Sequence, residues 1–136
     1  MPFTLSHPAA GLPLAGLAAR HGALSALMIG TIVPDLPYFL PWPRAPYGTH
    51  SVAGLITFCL PVGLLAVLVF EHLLRAPLVA LLPDAWQRAV GTRRTVRPGR
   101  RVALTASVLA VCAGAATHIL WDRSEEHTSE LQSPMF

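Results

Sequence analysis

The stretch Val102-Ala-Leu-Thr-Ala-Ser-Val-Leu-Ala-Val-Cys-Ala-Gly-Ala-Ala-Thr-His-Ile-Leu-Trp-Asp122 decides the fold class. Before Asp122 its only ionisable side chains are Cys112 and His118. It is close to the ~20 residues with which a helix crosses a ~30 Å hydrocarbon layer. Val52–Phe70 repeats the pattern, free of charge and interrupted by Pro61. A proline there predicts a kink, tolerated where neighbouring groups satisfy the freed carbonyl. Gly54, Gly63 and Ala66 on one segment, and Ala110, Ala113 and Gly114 on the other, predict close approach of the two backbones. The expected architecture is all-α, an integral membrane helical protein with two antiparallel spanning helices. The competing reading is a pair of buried helices in a soluble bundle.

Composition favours the membrane. Charged residues are 12% of 136 and hydrophobic residues 53%, against the ~25% charged of ordinary soluble domains. The ten basic residues are all Arg. Residues 71–101 concentrate them as Arg75, Arg88, Arg93, Arg94, Arg97, Arg100 and Arg101, opposed by Glu71 and Asp84. The run from Arg93 to Arg101 has no aromatic residue for base stacking and abuts an apolar helix. It reads as a cytoplasmic, positive-inside anchor attracted to anionic lipid headgroups, with no nucleic acid expected. The lipid bilayer is then the principal partner. That orientation brings His50, His118 and Asp122 to one extracytoplasmic level. The first charge is Arg20, so no cleaved signal peptide is expected. Cys59 and Cys112 form no CxxC pair and read as small buried hydrophobes.

The N-terminal region is broken by Pro8, Gly11, Pro13 and Gly16. Ala23–Val33 is apolar but too short to span, which leaves a half-helix, a re-entrant segment or an interfacial helix open. Trp42 and Tyr47 are of the type that sits at a headgroup boundary. Thr49 or Ser51 can cap the helix that follows.

Few residues are equipped for chemistry. His7 precedes a proline, Asp35 follows Pro34, His50 opens an apolar helix, and His118 and Asp122 lie four apart on one helical face. All five flank or end apolar segments. Their nitrogen and oxygen donors suit Zn²⁺, Mn²⁺ or Fe²⁺, as one ion or as two sharing a bridging carboxylate. Each also has a plainer role as a turn residue or cap, His118 least so, because ionisable groups at membrane depth are costly. His21 and His72 read as ordinary solvated or interfacial residues. No GxSxG elbow, phosphate-cradling glycine loop or cysteine array is present.

Met1-Pro-Phe-Thr-Leu-Ser-His-Pro-Ala-Ala10, Ile29-Gly-Thr-Ile-Val-Pro-Asp-Leu-Pro-Tyr-Phe39, Gly48-Thr-His-Ser51, Leu60-Pro-Val-Gly-Leu64 and Thr117-His-Ile-Leu-Trp-Asp122 follow in order. Across residues 1–122 the chain resembles the bacterial membrane-protein family named domain of unknown function 4184. That family is more distantly similar to membrane-bound metal-dependent hydrolases and to helical zinc-dependent phospholipases C. The resemblance implies a multi-pass protein of the bacterial inner membrane and His7, Asp35, His50, His118 and Asp122 as metal ligands. It also implies hydrolysis of an ester or phosphoester in a small-molecule or lipid substrate. The alternative is a non-enzymatic membrane protein, structural or transport-related. In the family the last motif runs on into Ser-Phe-Thr-His and further apolar helices. Residues 123–136 instead resemble a translated sequencing adapter. The expected natural domain is therefore 1–122, truncated at its C-terminus, and nothing is carried onto His127.

Overall fold

A computed structural model describes residues 4–39, 48–92 and 100–132. Trp42, Tyr47 and the arginines from Arg93 to Arg97 lie outside the described residues. The described residues are helical, with no strand among them. A 3₁₀ segment, Thr4–Gly11, contains Pro8 and leads into α1, Leu12–Arg20, which has a proline in its first turn. Arg20 occupies the last turn of α1, where a cation meets the negative end of the helix dipole. The chain then reverses at Gly22, whose φ of 68° is the left-handed conformation glycine adopts without strain. The amide of Gly22 donates to the Ala19 carbonyl at 3.1 Å and that of Ala23 to Ala18 at 2.8 Å, the Schellman pattern of bonds. Helix α2, Leu24–Gly30, returns antiparallel to α1 and ends in a 3₁₀ turn, Val33–Asp35, followed by α3, Leu36–Phe39. Within the apolar run at Ala23–Val33, Leu24–Gly30 is helical.

The first long apolar segment forms one continuous helix, α4, Val52–Ala80, extending beyond the uncharged stretch as far as Ala80. Ser51 is its cap: the Ser51 hydroxyl accepts from the Gly54 amide at 3.0 Å. The turns at Leu55–Cys59 and at Phe70–Leu74 are π-helical. The first explains how Pro61 is accommodated. A proline removes an amide and pushes on the carbonyl four residues earlier, so a widened turn just before it relieves both problems. The Leu60 amide accordingly bonds to the Leu55 carbonyl. Helix α5, Asp84–Thr92, folds back at Pro83, and Gln87 on it donates to the carbonyls of Ala80 and Leu82, at the end of α4 where helical partners run out. The last helix, α6, Arg100–Gln132, runs past Asp122 without a break, and Trp121 Nε1 donates to Glu125 Oε1 at 2.9 Å across that point.

Helix α6 is the axis around which the rest packs. Val111, Ala110, Leu27, Ala26, Ala23 and Val67 form one buried cluster, and Val33, Cys59 and Ala115 form a second. Small residues do allow close approach, between the two long helices at Gly63 and with other partners at Gly114 and Gly54. A methyl group on Gly114 would collide with the Leu27 carbonyl and the Thr31 amide of the α2 segment, not with α4. A methyl on Gly30 would sit 2.5 Å from the Val111 carbonyl. Gly63 of α4 receives the Val111 side chain, and Gly54 packs on the Gly48–Thr49 backbone just before its own helix. Cys59 is fully buried and Cys112 only partly, as befits small apolar residues on different faces.

This packing separates two kinds of glycine. Gly114→Leu should lower the thermal midpoint of the purified protein sharply, at or above the upper end of the ~1–3 kcal/mol usual for overpacking. Gly16 should behave oppositely, because a methyl group added there would have nothing within 4 Å. Gly16→Ala is expected to stabilise α1 by roughly 0.5–1 kcal/mol. Equal midpoints for the two variants would contradict the backbone contact described.

Candidate metal centre

The five candidate residues converge at one end of α6. His118 and Asp122 extend from the same face of the helix, one turn apart. Asp35 arrives from the 3₁₀ turn after α2, where Pro34 and Pro37 stiffen the backbone and the Asp35 amide bonds to Ile32 at 3.1 Å. His50 stands at the mouth of α4, one residue before its cap. His7 comes from the N-terminal 3₁₀ segment, at a sequence separation of 115 from Asp122.

Four of them form a tight group. One ligand atom from each of Asp35, His50, His118 and Asp122 lies within 4.8 Å of all the others. His118 Nε2 is 3.3 Å from His50 Nε2, 3.3 Å from Asp35 Oδ1 and 3.2 Å from Asp122 Oδ2. His50 Nε2 is 3.2 Å from Asp35 Oδ1 and 3.4 Å from Asp122 Oδ2. A tetrahedron whose corners lie ~2.0–2.1 Å from a central Zn²⁺ has edges of ~3.3–3.4 Å. The observed separations match that spacing.

The protonation pattern makes the match informative. His118 is fully buried, and its Nδ1 lies 2.7 Å from the Thr31 carbonyl oxygen. A carbonyl can only accept, so Nδ1 carries a hydrogen, and in the neutral ring Nε2 is then the nitrogen with the lone pair. That lone pair faces two carboxylate oxygens and a second imidazole nitrogen. One added proton could point at only one of the three. A cation at the centre satisfies all of them at once. The Nδ1–H to carbonyl bond is also the usual outer support of a metal-binding histidine. Thr49 plays a comparable part for His50, its Oγ1 lying 3.1 Å from Nδ1.

His7 stands just outside the four-atom group. It is 1% exposed, its Nε2 donates to Asp122 Oδ1 at 3.0 Å, and its ring stacks on His118 with centroids 4.0 Å apart. The oxygen of Asp122 that faces the two other histidines is thereby fixed from behind. His118 and Asp35 form the closed wall, while His50 and Asp122 retain part of their exposure. Tyr38 borders that open side, its ring 6.3 Å from His50.

The structure brings the five candidate side chains together, Asp35, His50, His118 and Asp122 in one group and His7 beside it. Sequence reasoning missed Thr31, fully buried, whose carbonyl holds His118. The available signal was a hydroxyl residue in an apolar run, one of two there with Ser25. Glu71, which the sequence offers only as a charge opposing the arginines, accepts from Ser25 at 2.6 Å and from Arg75 at 2.7 Å, linking α2 to α4 at the opposite end.

The tautomer is directly measurable. In ¹⁵N-histidine-labelled protein, His118 should show a protonated Nδ1 and a bare Nε2. Protonation at Nε2 with a bare Nδ1 would contradict the reading.

A family model described as "Domain of unknown function (DUF4184)" matches residues 1–129. No curated protein and no solved structure matches the chain.

Proposed function

The chain belongs to the DUF4184 family, and on that footing we propose that its Asp–His centre holds a divalent cation and hydrolyses an ester or phosphoester at a membrane surface. The observation that carries this reading is the buried Nε2 of His118, lying 3.2–3.3 Å from two carboxylate oxygens and a second imidazole nitrogen. Asp35, His50, His118 and Asp122 are the ligands. His7, which the sequence pattern also suggests as a ligand, is a positioning residue for Asp122. Two nitrogens and two carboxylate oxygens favour Zn²⁺, with Mn²⁺ and Fe²⁺ accepting the same donors. When bound, such an ion polarises a substrate oxygen and brings the pKa of a coordinated water towards ~7. The protein contributes a wall at Asp35 and His118 that excludes water, an approach on the side of His50 and Asp122, and a rigid carboxylate anchored by His7.

Membrane residence is supported by two helical spans long and apolar enough to cross, Val52–Ala80 and Ala103–Thr128. Only 17% and 33% of their most apolar windows are buried. The core helix of a soluble protein would be mostly covered, whereas here Leu65, Leu68, Leu73, Leu104, Leu109 and Leu120 face outward. The proposal extends to a multi-pass arrangement in a bacterial inner membrane. The arginine-rich stretch would lie in the cytoplasm and the centre at the other face.

Metal analysis of the purified full chain tests the reading. About one equivalent of Zn²⁺, Mn²⁺ or Fe²⁺ is expected in the wild type, and none in His118→Ala or Asp35→Ala. His7→Gln should keep the stoichiometry and the tetrahedral Co²⁺ spectrum while weakening affinity ~10–100-fold, the usual effect of removing an outer-shell partner. A chelator should abolish hydrolysis of a chromogenic ester or phosphodiester, and Zn²⁺ should restore it. A wild-type protein that binds no metal would overturn the hydrolase reading and leave these groups as helix-end ion pairs.

A further inference from the structure

Away from the metal centre, α1, α2 and α6 enclose an apolar cleft of about 400 Å³, within the ~300–1,000 Å³ range of small-ligand sites. Its walls are Leu14, Leu17 and Ala18 of α1, Leu27 of α2, and Leu109 and Ala113 of α6. Thr105 and His21 also line it. From Ala113 to Thr105 the α6 wall is ~12 Å long at 1.5 Å per residue. The cleft is therefore a slot rather than a sphere, and almost all of its surface is hydrocarbon.

Charge is concentrated at one end of the slot. The α1–α2 turn sits there, with Arg20 and His21 both exposed beside the Gly22 reversal. Arg20 makes no ion pair among the described residues. The carboxylate that bonds to α2 near this end, Glu71, is already held by Ser25 and Arg75. The result is an apolar slot that opens beside the exposed Arg20, which has no ion pair among the described residues.

We propose that this slot binds one acyl chain of an anionic lipid, with the headgroup at Arg20 and His21. The geometry accounts for both halves of such a molecule: side-chain hydrocarbon along the chain, and the Arg20 cation with the His21 ring beside it at the head. A second packed helix would fill the slot but gives no role to the unpaired arginine at its end. The inference rests on the membrane reading above and not on the hydrolase reading, because the slot and the centre occupy different ends and faces of α6.

Two measurements on the detergent-purified full chain test it. In native mass spectrometry, phosphatidylglycerol should remain bound at least fivefold more than phosphatidylcholine of the same chain length. Arg20→Glu should reduce it to the phosphatidylcholine level. A phosphatidylglycerol carrying a diazirine on its acyl chain should, on irradiation, label peptides covering residues 14–27 and 105–113. Equal retention of the two lipids, or labelling spread evenly over the outward faces of α4 and α6, would overturn the site. A chain that stays monomeric and folded without detergent would instead remove the membrane reading itself. The two failures are therefore distinguishable.

Discussion

Contact between the α2 and α6 backbones is the constraint on which the candidate metal centre depends. Gly30 and Gly114 leave no side chain between the two helices, so peptide groups meet directly. Thr31 follows α2 as its C-terminal cap, where a helix leaves carbonyls without internal partners. Because the helices touch, the Thr31 carbonyl finds the imidazole of His118, and that one bond fixes both the ring's orientation and its tautomer. A methyl group at either glycine would push α2 outward and move Asp35 with it. Packing by small residues here sets the position of a charged group several residues away, beyond simply stabilising a helix pair.

The centre in turn ties the chain together. Its members come from the N-terminal 3₁₀ segment, the turn after α2, the start of α4 and the far end of α6. Two carboxylates held against each other's partners are unfavourable without positive charge between them, the more so where water is excluded. A cation would therefore act as a cross-link closing a long loop, and its binding would contribute to folding as well as to chemistry. The buried apolar core is modest: much of α4 beyond Val67 is exposed. Within this chain, the polar end is as well determined as the hydrophobic middle.

The candidate site was legible in the sequence because its signals are local. His118 and Asp122 at i and i+4, Asp35 between prolines, and His50 at a helix mouth can each be found without knowing the fold. The two long helices were legible for the same reason, being uncharged over the needed length. What could not be read was partnership. Small residues on both long helices announce close approach but not with whom, and Gly114 in fact meets α2. Thr31 contributes through its backbone, which every residue possesses, so its type gave little warning. The distinction between His7 and the four-atom group depends on distances of an ångström or so, which no spacing rule resolves. The hairpin of α1 and α2 was obscured because proline and glycine interrupt its apolar pattern, although Gly22 supplied the one reversal it required.

The π-helical turn at Leu55–Cys59 has a consequence for how this architecture can change. Such a turn holds one more residue than an α-helical turn, so it behaves as an insertion absorbed within a helix. It lies between His50, which faces the centre, and Gly63, which accommodates Val111. Converting it to regular helix by deleting one residue would rotate one end about the axis by ~100° relative to the other. His50 or Gly63 would then lose its partner, whichever end remained fixed. The phase of α4 is thus stored in a single widened turn. Sequence lineages that retain both ends can substitute freely along the outward face, but they cannot readily change the number of residues between them.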